Sequence, residues 1–156
     1  MLTIEIPGFG DVHIEHLVTD FTGTLSVDGV LLPGVADLLS EAGHQLTVHV
    51  LTADTFQKAS TALEGVDCRL TVLSGASIDR QKEEYVQNLG TERVIAIGNG
   101  ANDRLMLKAA RIGIAVIEGE GCAVDAISNA DVLVRSILEG LGLVLNPKRL
   151  VATLRV

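Results

Sequence analysis

Asp20 closes an apolar, β-branched run that includes Ile14, Leu17 and Val18, and Thr22, Gly23 and Thr24, a turn composition, follow it. Such a run predicts a buried strand with Asp20 at its carboxyl end, and in open α/β sheets ligands bind outside the carboxyl ends of the strands. A carboxylate there can act as a nucleophile, as in aspartyl-phosphate chemistry. Taken alone, a strand followed by an Asp-capped turn explains the same residues. Thr52 closes a second run, Val48-His49-Val50-Leu51-Thr52-Ala53-Asp54. Its hydroxyl and the backbone N–H of Ala53 could hold two phosphate oxygens, although threonine is common where a strand meets a helix. Lys82 lies early in the helix expected after the third run, where an ammonium can reach back to the strand ends and offset phosphate charge. Arg80 is a rival for that role, and a helix lysine is ordinarily a solvated charge.

The fourth candidate is Gly98-Asn99-Gly100-Ala101-Asn102-Asp103, after the apolar run Val94–Ile97. Gly98 and Gly100, with Glu118 downstream, partly fit a dinucleotide fingerprint. Asp103, however, stands at the third glycine position, where a carboxylate at a helix N-terminus would repel a pyrophosphate.

These four stretches resemble, in order, the motifs of the haloacid dehalogenase (HAD) superfamily. Asp20-Phe21-Thr22-Gly23-Thr24 is similar to the first motif, closest to the Asp-Lys-Thr-Gly-Thr of the P-type ATPase phosphorylation domain. Thr52-Ala53-Asp54 resembles the Thr-Gly-Asp of those proteins, and Gly98–Asp103 their Gly-Asp-Gly-x-Asn-Asp. Gly113-Ile114-Ala115-Val116 and Ala130-Asp131-Val132-Leu133 are similar to two further segments of the same group. The resemblance covers about residues 14–135.

The resemblance implies a Mg²⁺-dependent phosphohydrolase that acts through an aspartyl-phosphate on Asp20. Asp20, Thr22 and Lys82 would form the catalytic set, and the family's lysine at the start of the same helix favours Lys82 over Arg80. Thr52, Ala53, Lys82 and Asn102 would hold phosphate. Asp20, the Thr22 carbonyl, Asn99 and Asp103 would hold the metal. Two departures from the family pattern carry expectations. Asn99 stands where the family has Asp, and an amide oxygen is a weaker ligand for a hard cation than a carboxylate, so Mg²⁺ affinity should be low and Asn99→Asp should raise it. Thr22 stands where fast HAD phosphatases carry an acid–base Asp, so turnover should be slow and best with activated esters or acyl phosphates.

The elements that must position these residues follow from periodicity. Strands are expected at Leu2–Ile6, Val12–Thr19, Leu46–Leu51, Cys68–Leu73, Val94–Ile97, Ile112–Val116 and Val132–Val134, with a small hairpin at Leu25–Leu31 tipped by Asp28-Gly29. Helices are expected after Pro33, closed by Gly43, from an Asp54 cap to Leu63, and from a Ser77 cap to about Leu89 with Gly90 as its stop. Further helices are expected at about Asp103–Ala110, near Ala123–Ser128, and from Asn146-Pro147 through Leu154. The alternation predicts a Rossmann-like, doubly wound parallel α/β sheet in three layers.

A chain of 156 residues, 47% hydrophobic and 21% charged, suits one globular domain over 1–156. Aromatics are only 3%, so the core must be aliphatic. The net charge of −8 argues against nucleic acid or an anionic membrane as partner. No apolar run reaches the ~18 residues of a membrane span and no signal peptide is evident, so a cytoplasmic protein is expected. Cys68 and Cys122 lie far apart without metal-ligand spacing, which fits free thiols, and the four histidines form no zinc pattern.

Only twenty residues separate Leu25 from Leu46 and sixteen separate Lys82 from Asn99, too few for the substrate-enclosing cap domains of the family. The expected site is therefore open, covered by the hairpin or by another subunit. The expected substrate is a small phosphorylated molecule or a phosphoprotein, and a homo-oligomer is plausible. The alternative is a catalytically weak or non-enzymatic phosphate-binding protein on the same fold.

Overall fold

The computed structural model describes residues 1–53 and 56–156, with the backbone alone at 56 and 57. Six parallel strands form the central sheet in the order β10-β9-β8-β3-β6-β7. Their ranges are β3 His16–Asp20, β6 Thr47–Thr52, β7 Arg69–Val72, β8 Val94–Gly98, β9 Ile112–Val116 and β10 Val132–Val134. The inner strands are almost wholly apolar because helices cover both faces, as parallel sheets require. Every residue of β8 and β9 is buried, and β3 is buried from Leu17 onward.

One face carries α1 (Val35–Gly43), α6 (Ile137–Leu145) and α7 (Pro147–Leu154), whose Val35, Leu39, Ile137, Leu141 and Leu150 pack with Leu17, Ile95, Ile97 and Ile114. The other carries α3 (Ile78–Leu89), α4 (Arg104–Ala109) and α5 (Val124–Ser128), where Val86, Met106, Leu107 and Ala126 meet Val18, Leu51, Ala96 and Ala115. The doubly wound three-layer architecture is as expected. The small α2 (Phe56–Ala62) follows β6, and Asp54, expected to cap it, lies outside the described residues. Among the described residues, no helix is long and apolar enough to cross a membrane.

Three local expectations are corrected. The run Val12–Thr19 is two strands: β2 (Gly10–Ile14) pairs antiparallel with β1 (Leu2–Ile6), and the chain redirects at Glu15 into β3. Glu15 makes that hand-over with its backbone, donating to Arg93 O and accepting from Thr47 N as the pairing partner changes. Ser77 precedes α3 but sits in the left-handed region (φ 58°), and its side chain makes no capping bond. Helix α6 was not expected. It opens on a Ser136 cap that accepts from Glu139 N, and its Gly140 lies against the sheet, where a Cβ would come within 3.4 Å of Val134.

The expected hairpin is β4 (Ser26–Val27) and β5 (Val30–Leu31). Asp28 and Gly29 at its tip both have positive φ, 52° and 78°, as a two-residue primed turn demands. It leaves the sheet directly after Asp20.

Candidate active site

Asp20 ends the central strand β3, between β6 and β8, and Thr52 ends β6 beside it. The loop after β8 brings Asn99 to Asp103 to the same edge, and α3 enters from one face with Lys82. A cavity of about 570 Å³ opens here, lined by Asp20, Thr22, Ala53, Asn99, Gly100, Ala101 and Asn102. Asp20 is 5% exposed, whereas Lys82, Thr52 and Asp103 are fully buried behind that lining.

A three-membered ion chain organises the site. Lys82 Nζ donates to Asp20 Oδ1 and to Asp103 Oδ1, both at 2.6 Å, and reaches Asn102 Oδ1 at 3.4 Å. Asp103 Oδ2 accepts from the backbone N–H groups of Asn99 (3.0 Å) and Gly100 (2.8 Å), which folds the loop after β8 onto itself. Gly98 is needed for this clasp, because a Cβ there would lie 2.6 Å from the Asp103 carboxyl carbon.

Burial, and next the Asp103 carboxylate, push the Asp20 pKa up to about 7, with Lys82 and the Thr24 hydroxyl opposing. Burial alone would lower the Lys82 pKa, but the two carboxylates outweigh it and the ammonium is held above its ordinary value. Two carboxylates around one fixed cation leave the cluster electron-rich, a disposition that suits a cation on the open side of Asp20.

Thr24 supplies a contact that sequence reasoning missed. Its hydroxyl lies 3.2 Å from Asp20 Oδ2 and 3.1 Å from Asn99 Oδ1. One proton cannot fully satisfy two acceptors, so oxygens of Asp20 and Asn99 converge with a hydrogen bond too few. With Thr22 also lining the cavity, this oxygen-only donor set fits a hard cation such as Mg²⁺. Thr24 was inside the quoted motif, but its partner Asn99 is 75 residues away. Sequence spacing gave no signal for that contact.

The geometry brings Asp20, Thr22, Lys82, Asn99 and Asn102 together around one cavity, with Ala53 on its wall and Thr52 behind it. Asp103 departs from the expectation of a metal ligand. Both its oxygens are committed to Lys82 and the loop amides and it does not line the cavity, so it braces the site. Among the described residues, no three His, Cys, Asp or Glu side chains gather to hold a metal. A cation here would depend on Asp20, Asn99 and backbone oxygen.

Comparison with known proteins agrees with this fold. A family model for haloacid dehalogenase-like hydrolases matches residues 81–134. An uncharacterized protein of Methanocaldococcus jannaschii is 45% identical over 73 residues, 47% of this chain and 78% of that protein. A phosphoserine phosphatase of Lactococcus lactis is 30% identical over 131 residues, 78% of this chain and 58% of that enzyme, so the chain spans little more than half of its length. Among solved structures, 3-deoxy-D-manno-octulosonate 8-phosphate phosphatase from Moraxella catarrhalis, in complex with magnesium, phosphate and its sugar, superposes with a TM-score of 0.66 at 17% identity. That match covers 92% of this chain and 94% of that one. A zinc-transporting PIB-type ATPase superposes with a TM-score of 0.63 at 26% identity, covering 79% of this chain and 20% of the transporter.

Proposed function

The chain belongs to the haloacid dehalogenase-like hydrolases, and from that premise we propose that it is a Mg²⁺-dependent phosphatase acting through an aspartyl-phosphate on Asp20. The observation that carries the reading is the placement of Asp20: a carboxylate at the mouth of a cavity, gripped from behind by a buried lysine that a second buried aspartate holds.

Each residue has a physical task. Lys82 holds Asp20 Oδ1 at 2.6 Å and so orients the carboxylate, which attacks phosphorus as the bond to the leaving oxygen breaks. The Lys82 ammonium also faces charge that develops on the transferring group. The backbone N–H of Ala53, the Asn102 amide and the Thr52 hydroxyl are the groups proposed to hold phosphate oxygens. Asp20, the Thr22 carbonyl and Asn99 would hold Mg²⁺, which when bound supplies neutralisation of phosphoryl charge. Water then attacks the aspartyl-phosphate at phosphorus, releasing inorganic phosphate and restoring the Asp20 carboxylate. Thr22 does not titrate near neutral pH, so the leaving oxygen takes its proton from solvent, and slow turnover follows.

Phosphatases among the relatives and structural neighbours support a phosphate ester or acyl phosphate as substrate. The resemblance of its motifs to those of P-type ATPases, together with the structural likeness to part of a zinc-transporting PIB-type ATPase, supports a phosphoenzyme that persists. The test is rapid acid quenching after mixing with radiolabelled acetyl phosphate and Mg²⁺. Label on Asp20, absent from Asp20→Asn, is the expected result. Undiminished hydrolysis by Asp20→Asn would refute the mechanism.

A further inference from the structure

Asn99 departs from the family pattern, and its surroundings explain why the departure is stable. All four of its polar groups are engaged. Its backbone N–H donates to Asp103 Oδ2, its backbone oxygen accepts from Ala123 N at 2.8 Å, its Oδ1 accepts from Thr24, and its Nδ2 donates to Gly121 O at 3.1 Å. The last contact decides which end of the amide faces Asp20. A carbonyl only accepts, so whatever stands opposite Gly121 O must donate. Gly23 closes the other side, where a Cβ would lie 2.5 Å from Asn99 Nδ2.

The turn that carries Gly121 is itself anchored. Gly121 N donates to Glu118 O at 2.8 Å, and Gly121 holds φ +80°, which L side chains resist. The Glu118 carboxylate accepts from Ile137 N at the start of α6. The Glu120 carboxylate accepts from Asp28 N at the tip of the β4–β5 hairpin, and Gly119 lies against Val27.

We propose that position 99 is built for an amide, and that the turn 118–121 is the positioning element that aims the amide oxygen at Asp20 while tying that oxygen to the β4–β5 hairpin. A carboxylate at this position would set oxygen against the Gly121 carbonyl at about 3.1 Å, losing a hydrogen bond and adding repulsion. Asn99 is then no weakened Asp: replacing it by Asp does not improve the site, contrary to the expectation from charge count alone.

Only the magnesium arm of the test rests on the phosphatase reading. The contact between Asn99 and Gly121 is a property of the metal-free chain. In EDTA at pH 8, thermal unfolding is measured for wild type, Asn99→Asp, Gly121→Ala and the double variant. No atom lies within 4 Å of a Cβ at Gly121, so Gly121→Ala acts through backbone conformation and shifts the carbonyl. The expected result is coupling: both single variants lose Tm, and the double variant loses several degrees less than the sum. Repulsion between the introduced carboxylate and Asp20 or Asp103 is common to both Asp-bearing arms and cancels. If Asn99→Asp does not fold, Asn99→Ala replaces it in the cycle, with smaller coupling of the same sign. In calorimetry with MgCl₂ alone, Asn99→Asp is expected to bind no more tightly than wild type. Additive Tm losses, or tighter Mg²⁺ binding by Asn99→Asp, would overturn the proposal. A failure of the quench experiment with intact coupling would instead count against the phosphatase reading alone.

Discussion

Removing the Lys82 ammonium would leave the carboxylates of Asp20 and Asp103 buried with no cation between them. Breaking a buried ion pair from one side typically costs about 3–5 kcal/mol, much more than deleting a surface pair. Lys82→Met should therefore show a denaturation midpoint reduced by a cost of that order in metal-free buffer, with phosphatase activity abolished. A stability unchanged from wild type would mean that Lys82 does not balance the pair. Thr22 carries the complementary prediction. Thr22→Asp places a group that titrates two positions after the nucleophile, and hydrolysis of unactivated phosphomonoesters should rise by ~10-fold or more, toward the ~10²–10⁴ of general acid–base catalysis. Steady-state rates on paired esters with good and poor leaving groups check it, because the gain should be confined to the poor ones. At this scale the sequence was informative where a residue ended an apolar run: Asp20 and Thr52 were both legible that way. It was silent on the brace formed by Asp103 and on Gly121, whose roles exist only because loops far apart in sequence meet. A backbone carbonyl leaves no mark in the residue types.

Strands β3 and β6 and helix α3 are joined by a polar line of three side chains. His16 Nδ1 lies 3.1 Å from His49 Nε2, and His49 Nδ1 lies 2.9 Å from the Tyr85 hydroxyl. Burial, then the charges of His16 and Arg69, lower the His49 pKa to about 4. Burial likewise lowers that of His16, where Glu15 opposes and Arg69 and Arg93 assist. An unfolded histidine titrates near 6.5, so the neutral ring favours the folded state above that pH. The contribution is lost as pH falls from 6.5 toward 4, on the order of 2 kcal/mol for His49. Urea unfolding at pH 7 and pH 4.5 should show this loss in wild type and a smaller one in His49→Gln, which cannot titrate. Equal losses in both would remove His49 from the account. Elements with clean periodicity and punctuation, β8, β9 and α3 among them, were legible. Helix α6 was not, because Ile137–Leu145 is apolar on nearly every side and carries two glycines. Its Ser136 and Glu139 cap was a usable signal. The division of β2 from β3 was hidden because Ile14, Leu17 and Val18 read as one apolar run while the two strands pair with different partners.

Across the whole molecule, the six-stranded order places β3 near the middle of the sheet, so Asp20 opens at the sheet's edge with no inserted domain above it. The hairpin 26–31 is joined to the site through the turn 118–121. This absence of a cap was legible from residue counts alone. An uncapped site is exposed to the field of the entire chain, and that field is negative: the net charge is −8, against which one buried lysine in the site is already neutralised by its two carboxylates. A dianionic phosphoester therefore approaches against repulsion, whereas clefts of matching sign draw substrates in. Salt shortens the Debye length from ~30 Å at 0.01 M to ~8 Å at 0.15 M, screening distant surface charges while leaving contacts inside the cavity little changed. With Mg²⁺ held saturating, kcat/KM for a small dianionic ester should rise severalfold over that range of added potassium chloride, and kcat should stay nearly constant. A singly charged acyl phosphate of similar size should show a smaller rise. A kcat/KM that falls with salt for the dianion would mean that local positive potential at the cavity, from bound Mg²⁺ and the loop amides, outweighs the acidic surface and governs capture.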